Sequence, residues 1–175
     1  MNDRVKLSVF YPHSVEKVWQ ALTDCRILNT WMMNNNFEPR IGHKFKFESE
    51  SLPGIKTIIY CEVVELEPLK RLAYTWQDEI TSESTLVVWT LTDVEGGTQL
   101  QLKHLQRYAM SSVRDWQQIN NSHNLDRQPI ALTQQTLPVN WHQMLKDKLN
   151  SIGDRQEDWH YRLNHKLPEV LAHYC

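Results

Sequence analysis

Over residues 4–10 the chain alternates apolar and polar with a period of two: Val5, Leu7 and Val9 face one way, Arg4, Lys6 and Ser8 the other. That is the pattern of a half-buried strand. Pro12 ends it, and Ser14 stands at the N-cap of a helix beginning at Val15, where Val15, Val18, Trp19 and Leu22 recur at helical spacing. Asp24 is placed to cap a second short helix with Ile27, Leu28 and Trp31 on its apolar side, and the asparagine-rich run 32–36 reads as a loop. From Phe37 the period returns to two. Residues 43–48 put Phe45 and Phe47 on one face and Lys44 and Lys46 on the other, and Pro53-Gly54 marks a hairpin turn. Residues 57–66, 71–76, 85–92 and 98–105 read as further strands, with Glu67-Pro68 ending the first of them and Glu95-Gly96-Gly97 supplying the positive-φ positions of a tight turn. Six strands in an antiparallel meander are expected.

Past Gln106 the pattern weakens. Residues 107–137 carry only a turn or two of helical spacing, at Val113, Trp116 and Ile119, and a connection of that length is usually functional or mobile. A lid over a cavity mouth, with Tyr108, Met110, Val113 and Trp116 on its inner side, is one expectation; a static surface excursion is the other. After Pro138 a strong helix carries Trp141, Leu145, Leu149 and Ile152 in one stripe, closed by Gly153. Asp154 and Glu157 have capping-box spacing for a last helix bearing Trp159, Leu163 and Leu167. Pro168 is expected to bend it and turn Val170, Leu171 and Tyr174 onto another surface.

The order of elements, a strand, two short helices, a meander and terminal helices, is an α+β plan. Charge narrows the choice of partners. With 19 Lys+Arg against 21 Asp+Glu and no dense basic cluster, neither nucleic acid nor an anionic membrane is expected as a partner. No basic-then-apolar leader and no run of membrane-spanning length is seen, and three cysteines without CxxC spacing suit reduced thiols, so a cytoplasmic protein is expected. The eight histidines include no HExxH and their nearest pair, His160 and His165, is off a common helical face; Gly96-Gly97 does not open a helix. No metal, nucleotide or other cofactor is expected, and no catalytic residue is assigned.

One bias points to purpose. Seven Trp, six Tyr and four Phe exceed what a small core needs, and rigid rings also line cavities. Strand parity gathers several on one face: Phe45 with Phe47, Tyr74 with Trp76, Trp89 with Val87 and Leu91, and His104 with Leu100 and Leu102. His104 is the titratable group of that face, either a satisfied core histidine or a ligand-orienting one. Cys61 reads as packing, Arg40 as pairing with a surface acid or holding a ligand carboxylate, and Glu62, Glu65 and Glu67 as a solvated strand end.

Five strings in order, VWQALTDCRILNTW from Val18, FEPRIGHKFKFE, CEVVELEPLKRLAYTW, STLVVWTLTDVEGGTQLQLKH and NWHQMLKDKL, resemble the activator-of-heat-shock-protein-90-ATPase homologue-like branch of the START-type helix-grip superfamily, over about residues 5–152. The resemblance implies a curved antiparallel sheet of six or seven strands around a long C-terminal helix, with two short helices after the first strand and a cavity between sheet and helix. It implies one domain over 1–153, with 107–137 as a long insertion and 154–175 as a helical extension. On this basis the chain is expected to hold a small apolar or aromatic molecule, against Trp31, Phe37, Phe45, Phe47, Tyr74, Trp76, Trp89, His104, Tyr108, Met110, Trp141, Met144 and Leu145. A cyclase- or hydrolase-like enzyme in the same cavity, and a co-chaperone-like interaction module, are the alternatives. The stripe of the extension packs either on its own domain or as a two-fold homodimer contact.

Overall fold

The computed structural model describes residues 3–78, 84–106 and 155–174. Seven strands form a single antiparallel sheet: β1 (Asp3–Tyr11), β2 (Asn34–Asn35), β3 (Lys44–Leu52), β4 (Ile55–Glu67), β5 (Arg71–Asp78), β6 (Ser84–Val94) and β7 (Gly97–Gln106), in the spatial order β1-β7-β6-β5-β4-β3-β2. Consecutive strands from β2 to β7 are neighbours, as a meander requires, and β1 closes on β7. The additional strand is β2, formed within the run expected as a loop; Asn35 donates from its backbone and its amide to Asn29 Oδ1, which fixes the approach to the sheet.

Between β1 and β2 lie α1 (Val15–Thr23) and α2 (Cys25–Trp31). Ser14 is the N-cap of α1 by backbone conformation, but its hydroxyl makes no capping bond; its carbonyl accepts from Val18. Asp24 caps α2 as expected, its carboxylate accepting from the Arg26 amide at 2.9 Å. At the β6–β7 turn only Gly96 has positive φ. Gly97 is required for a different reason: a Cβ there would stand 2.1 Å from the Tyr11 carbonyl oxygen, so its lack of a side chain lets β1 end against the turn.

The chain returns to the sheet as α3 (Arg155–Tyr161), a π-helical turn (Arg162–Lys166) and α4 (Leu167–His173), which together make one C-terminal helix. Trp159, Leu163, Leu167 and Leu171 are all buried in the core with the sheet residues Leu72, Val87, Trp89, Leu100 and Leu102. The stripe is thus spent inside this chain, the intramolecular of its two expected fates. Residues spaced by four drift around an α-helix by about 40° per step, and the wider π turn, which rotates less per residue, returns Leu167 and Leu171 to the face of Trp159. Pro168 therefore does not turn Val170 and Leu171 away: both stay buried in the same cluster, and Tyr174 is exposed.

The π turn leaves one carbonyl short. Leu167 N–H bonds back to Arg162 across the π turn, so the Leu163 carbonyl would take its bond from residue 168, a proline without N–H. The Tyr11 hydroxyl supplies the missing donor at 2.5 Å. Arg162 fastens the same turn elsewhere, donating to the Trp31 and Met32 carbonyls at the C-terminal end of α2 and, through Nε, to Asp158 at 3.0 Å. Those carbonyls have no partner within α2, and a cation there also suits the helix dipole.

This is the α+β helix-grip plan. The helix seen against the sheet is the one from 155, expected above as an extension, and from Gln156 onward it falls in the same compact unit as the sheet. The expected Trp141 helix, the 107–137 excursion, Gly153 and Asp154 lie outside the described residues. No helix among the described residues is long and apolar enough to cross a membrane.

Candidate ligand site

Parity on β3, β5, β6 and β7 brings one aromatic surface together. Phe45 and Phe47 on β3 stand 5.3 Å apart by ring centroid, Phe45 meets Tyr74 of β5 at 5.4 Å, and Phe47 meets Trp76 at 5.6 Å. Phe37, ahead of β3, packs edge-on to Phe45 at 5.0 Å. From β5 the surface continues through Trp159 of the C-terminal helix, 5.5 Å from both Trp76 and Trp89, to Trp31 of α2, 6.2 Å from Trp89. Most of these contacts are tilted or edge-to-face, the arrangement ring quadrupoles favour. His43 stacks on Phe45 at 6.2 Å, held by a bond from its Nε2 to the Asn36 carbonyl.

Polar groups on this surface sit at defined points. His104 is fully buried, as its parity with Leu100 and Leu102 indicates. Trp159 Nε1 donates to its Nδ1 at 3.3 Å; an indole N–H only donates, so the imidazole proton sits on Nε2 and is given to Thr85 Oγ1 at 2.6 Å. Thr85 in turn donates to the Trp76 carbonyl at 3.1 Å. Both ring nitrogens of His104 are thereby engaged in joining the C-terminal helix to β6 and β5. On the other side, Trp89 Nε1 donates to the Tyr74 hydroxyl at 3.0 Å. Burial pushes the Tyr74 hydroxyl well above its ordinary pKa, only partly offset by the Trp89 bond, and pushes the Cys61 thiol up as well. Cys61 is protonated packing, since nothing lowers it toward a thiolate.

Of the residues expected to line a cavity, Trp31, Phe37, Phe45, Phe47, Tyr74, Trp76, Trp89 and His104 are all buried on this one surface. Tyr108, Met110, Trp141, Met144 and Leu145 lie outside the described residues. Trp159 is not among the expected lining residues, because the resemblance places its helix beyond the grip. Asp78 and Thr85 were also missed: β5 runs to Asp78, two residues past the expected end, and the parity of Tyr74 and Trp76 carries it inward, as that of Val87 and Trp89 carries Thr85. Arg40 takes its surface reading, 3.5 Å from the Glu38 carboxylate. A polar cleft of about 180 Å³ lies elsewhere, along Asn34, Asn35, Asn36, Lys46 and Glu48, on the side of β3 opposite to Phe45 and Phe47.

Comparison with known proteins bears on what such a surface serves. The sequence profile of the family described as activator of Hsp90 ATPase homolog 1-like protein matches residues 12–153. The chain belongs to that family. No curated protein sequence matches it. Among solved structures, a Mesorhizobium loti protein is 26% identical, with 96% of each chain covered and a TM-score of 0.63. A Bacillus halodurans protein is 20% identical, with 98% of this chain and 97% of that one covered and a TM-score of 0.59. A putative protein of the dynemicin biosynthetic locus is 24% identical over 67% of this chain and 42% of its own, with a TM-score of 0.52. The last two show the fold alone. The profile of the activator of Hsp90 ATPase homolog 1-like family stops at 153, but 96% of 175 residues leaves only about seven unmatched in the Mesorhizobium comparison, so that likeness runs well into the C-terminal helix.

Proposed function

We propose that this protein is a binding protein that holds a small, apolar or aromatic molecule on the inward face of its sheet, without chemical change to it. The observation that carries this reading is the continuity of the aromatic surface, from Phe37 through Phe45, Phe47, Tyr74 and Trp76 to Trp89, on one side of a sheet whose C-terminal helix contributes a ring, Trp159, to the same surface. Rings at this density supply area and shape at small entropic cost, and they favour flat apolar ligands over charged ones. That a protein of the same fold belongs to a natural-product locus, the dynemicin one, is in keeping with such a ligand. A cyclase- or hydrolase-like reading would look to His104, the buried titratable group of this face, as its acid or base, whereas both of its ring nitrogens are engaged, with Trp159 and Thr85.

Native mass spectrometry of the protein purified from its own host, set against the same sample denatured, tests the reading. The expected result is an added mass of a few hundred daltons that leaves on denaturation and extracts into organic solvent. A bare mass from the native host, together with no saturable binding of any apolar ring compound, would contradict it.

A further inference from the structure

Within the aromatic surface the hydroxyl hydrogen of Tyr74 has no destination among the described residues. The Tyr74 oxygen accepts from Trp89 Nε1 at 3.0 Å, which uses the hydroxyl as an acceptor; its own proton meets no acceptor among the described residues. Tyr74 is only 3% exposed, so bulk water does not serve it. Its ring is enclosed by Phe45 at 5.4 Å and Phe47 at 6.2 Å, neither of which offers an oxygen or nitrogen. A buried donor left without an acceptor is costly, and proteins usually satisfy it with a group, a water or a ligand.

We infer that the Tyr74 hydroxyl is the polar anchor of the ligand site, donating its proton to a neutral oxygen acceptor, such as a ketone or quinone carbonyl, on an otherwise apolar ring molecule. The inference rests on the proposed binding function and gives its ligand a chemical class. Trp89 has a positioning part: by occupying the hydroxyl oxygen from one side it directs the O–H away from itself. A neutral acceptor fits better than a carboxylate, because Phe45 and Phe47 at the Tyr74 ring, Trp89 at its hydroxyl and the protonated Cys61 thiol nearby carry no positive charge, and an anion buried among them would lack a countercharge.

Three naphthalenes of similar size test this: 2-ethylnaphthalene, 2-acetylnaphthalene and 2-naphthoate, titrated by calorimetry into the full-length protein and into Tyr74→Phe. The wild-type protein is expected to bind the ketone about three- to tenfold more tightly than the hydrocarbon, the worth of one net hydrogen bond, and the naphthoate more weakly than the ketone. In Tyr74→Phe the ratio of ketone to hydrocarbon affinity should fall to about one. If that variant is poorly folded because the Trp89 indole has lost its acceptor, the double variant Tyr74→Phe/Trp89→Phe removes both groups and should show the same ratio. Equal wild-type affinities for ketone and hydrocarbon would mean that a water serves the proton as well, and would overturn the anchor while leaving the binding function standing. A preference that survives in the variants, or tighter binding of the naphthoate, would overturn it too. Binding of none of the three would overturn the anchor for this ligand class, while the binding function is decided by the native mass.

Discussion

At the scale of single residues, the polar groups that matter are those compensating a defect in the backbone. Tyr11 completes a carbonyl that Pro168 leaves without a donor, 152 positions apart in sequence. Tyr11→Phe keeps the ring and orphans the Leu163 carbonyl, so it should cost about 1–3 kcal/mol and lower the melting temperature by several degrees, measured by calorimetry. No loss would mean that the hydroxyl bond is not what holds the turn. Gly97→Ala should be more damaging, because its Cβ would stand 2.1 Å from backbone, not from a side chain that can swing away. The pH dependence follows from the same burial. Tyr11, Tyr74 and Cys61 have their pKa values raised in the folded state, so each contributes stability that is complete below its unfolded pKa and is lost as the pH climbs from that value toward the folded one. With unfolded values of about 8.5 for the thiol and about 10 for the phenols, the urea midpoint should be level between about pH 7 and 8 and fall between about pH 9 and 11. A level midpoint across that range would contradict the burial of these groups.

At the scale of elements, the sheet was legible in the chain because its signals are local. The alternation of Phe45 with Lys44 and Lys46, or of Leu100 and Leu102 with Gln101 and Lys103, is written in neighbouring residues, and every expected strand is present; most ends run on by a few positions, while β3 begins one residue later than expected and β5 begins at Arg71 as expected. Strand β2 was not legible: two asparagines carry no alternation, and they pair only because β3 offers an edge. The C-terminal helix was legible as a helix but not in its place. Its stripe of Trp159, Leu163 and Leu167 is visible, while its destination depends on contacts more than fifty residues away, His104 for Trp159 and the carbonyls of α2 for Arg162. The π turn cannot be read from spacing at all. Arg162→Leu keeps much of the stem and removes the cation that serves the Trp31 and Met32 carbonyls. It should destabilise by about 1–3 kcal/mol, read as a lower urea midpoint, and Arg162→Lys should restore only part of that, since an ammonium lacks the planar fork.

At the scale of the whole molecule, the C-terminal helix is part of the core. Truncation after Gly153 would remove Trp159, Leu163, Leu167, Val170 and Leu171, five buried side chains, each worth about 1.5–3 kcal/mol. That is comparable with the whole stability of a domain, so the truncated chain should lose its cooperative melt by circular dichroism. A truncated form that melts cooperatively at an unchanged temperature would show that the helix is dispensable. The aromatic surface was legible by parity on β3, β5, β6 and β7; its closure by Trp159 was not, because that ring arrives from the far end of the chain. The central claim is that this surface receives a ligand, and indole N–H resonances report on it directly. Of the seven tryptophans, Trp76, Trp89 and Trp159 meet on the proposed site. In a nitrogen-15 NMR titration with 2-acetylnaphthalene, signals assigned by single Trp→Phe variants, the cross-peaks of these three should shift together and saturate below millimolar ligand. No saturable shift at any of the three, up to the solubility limit of the ketone, would contradict the account.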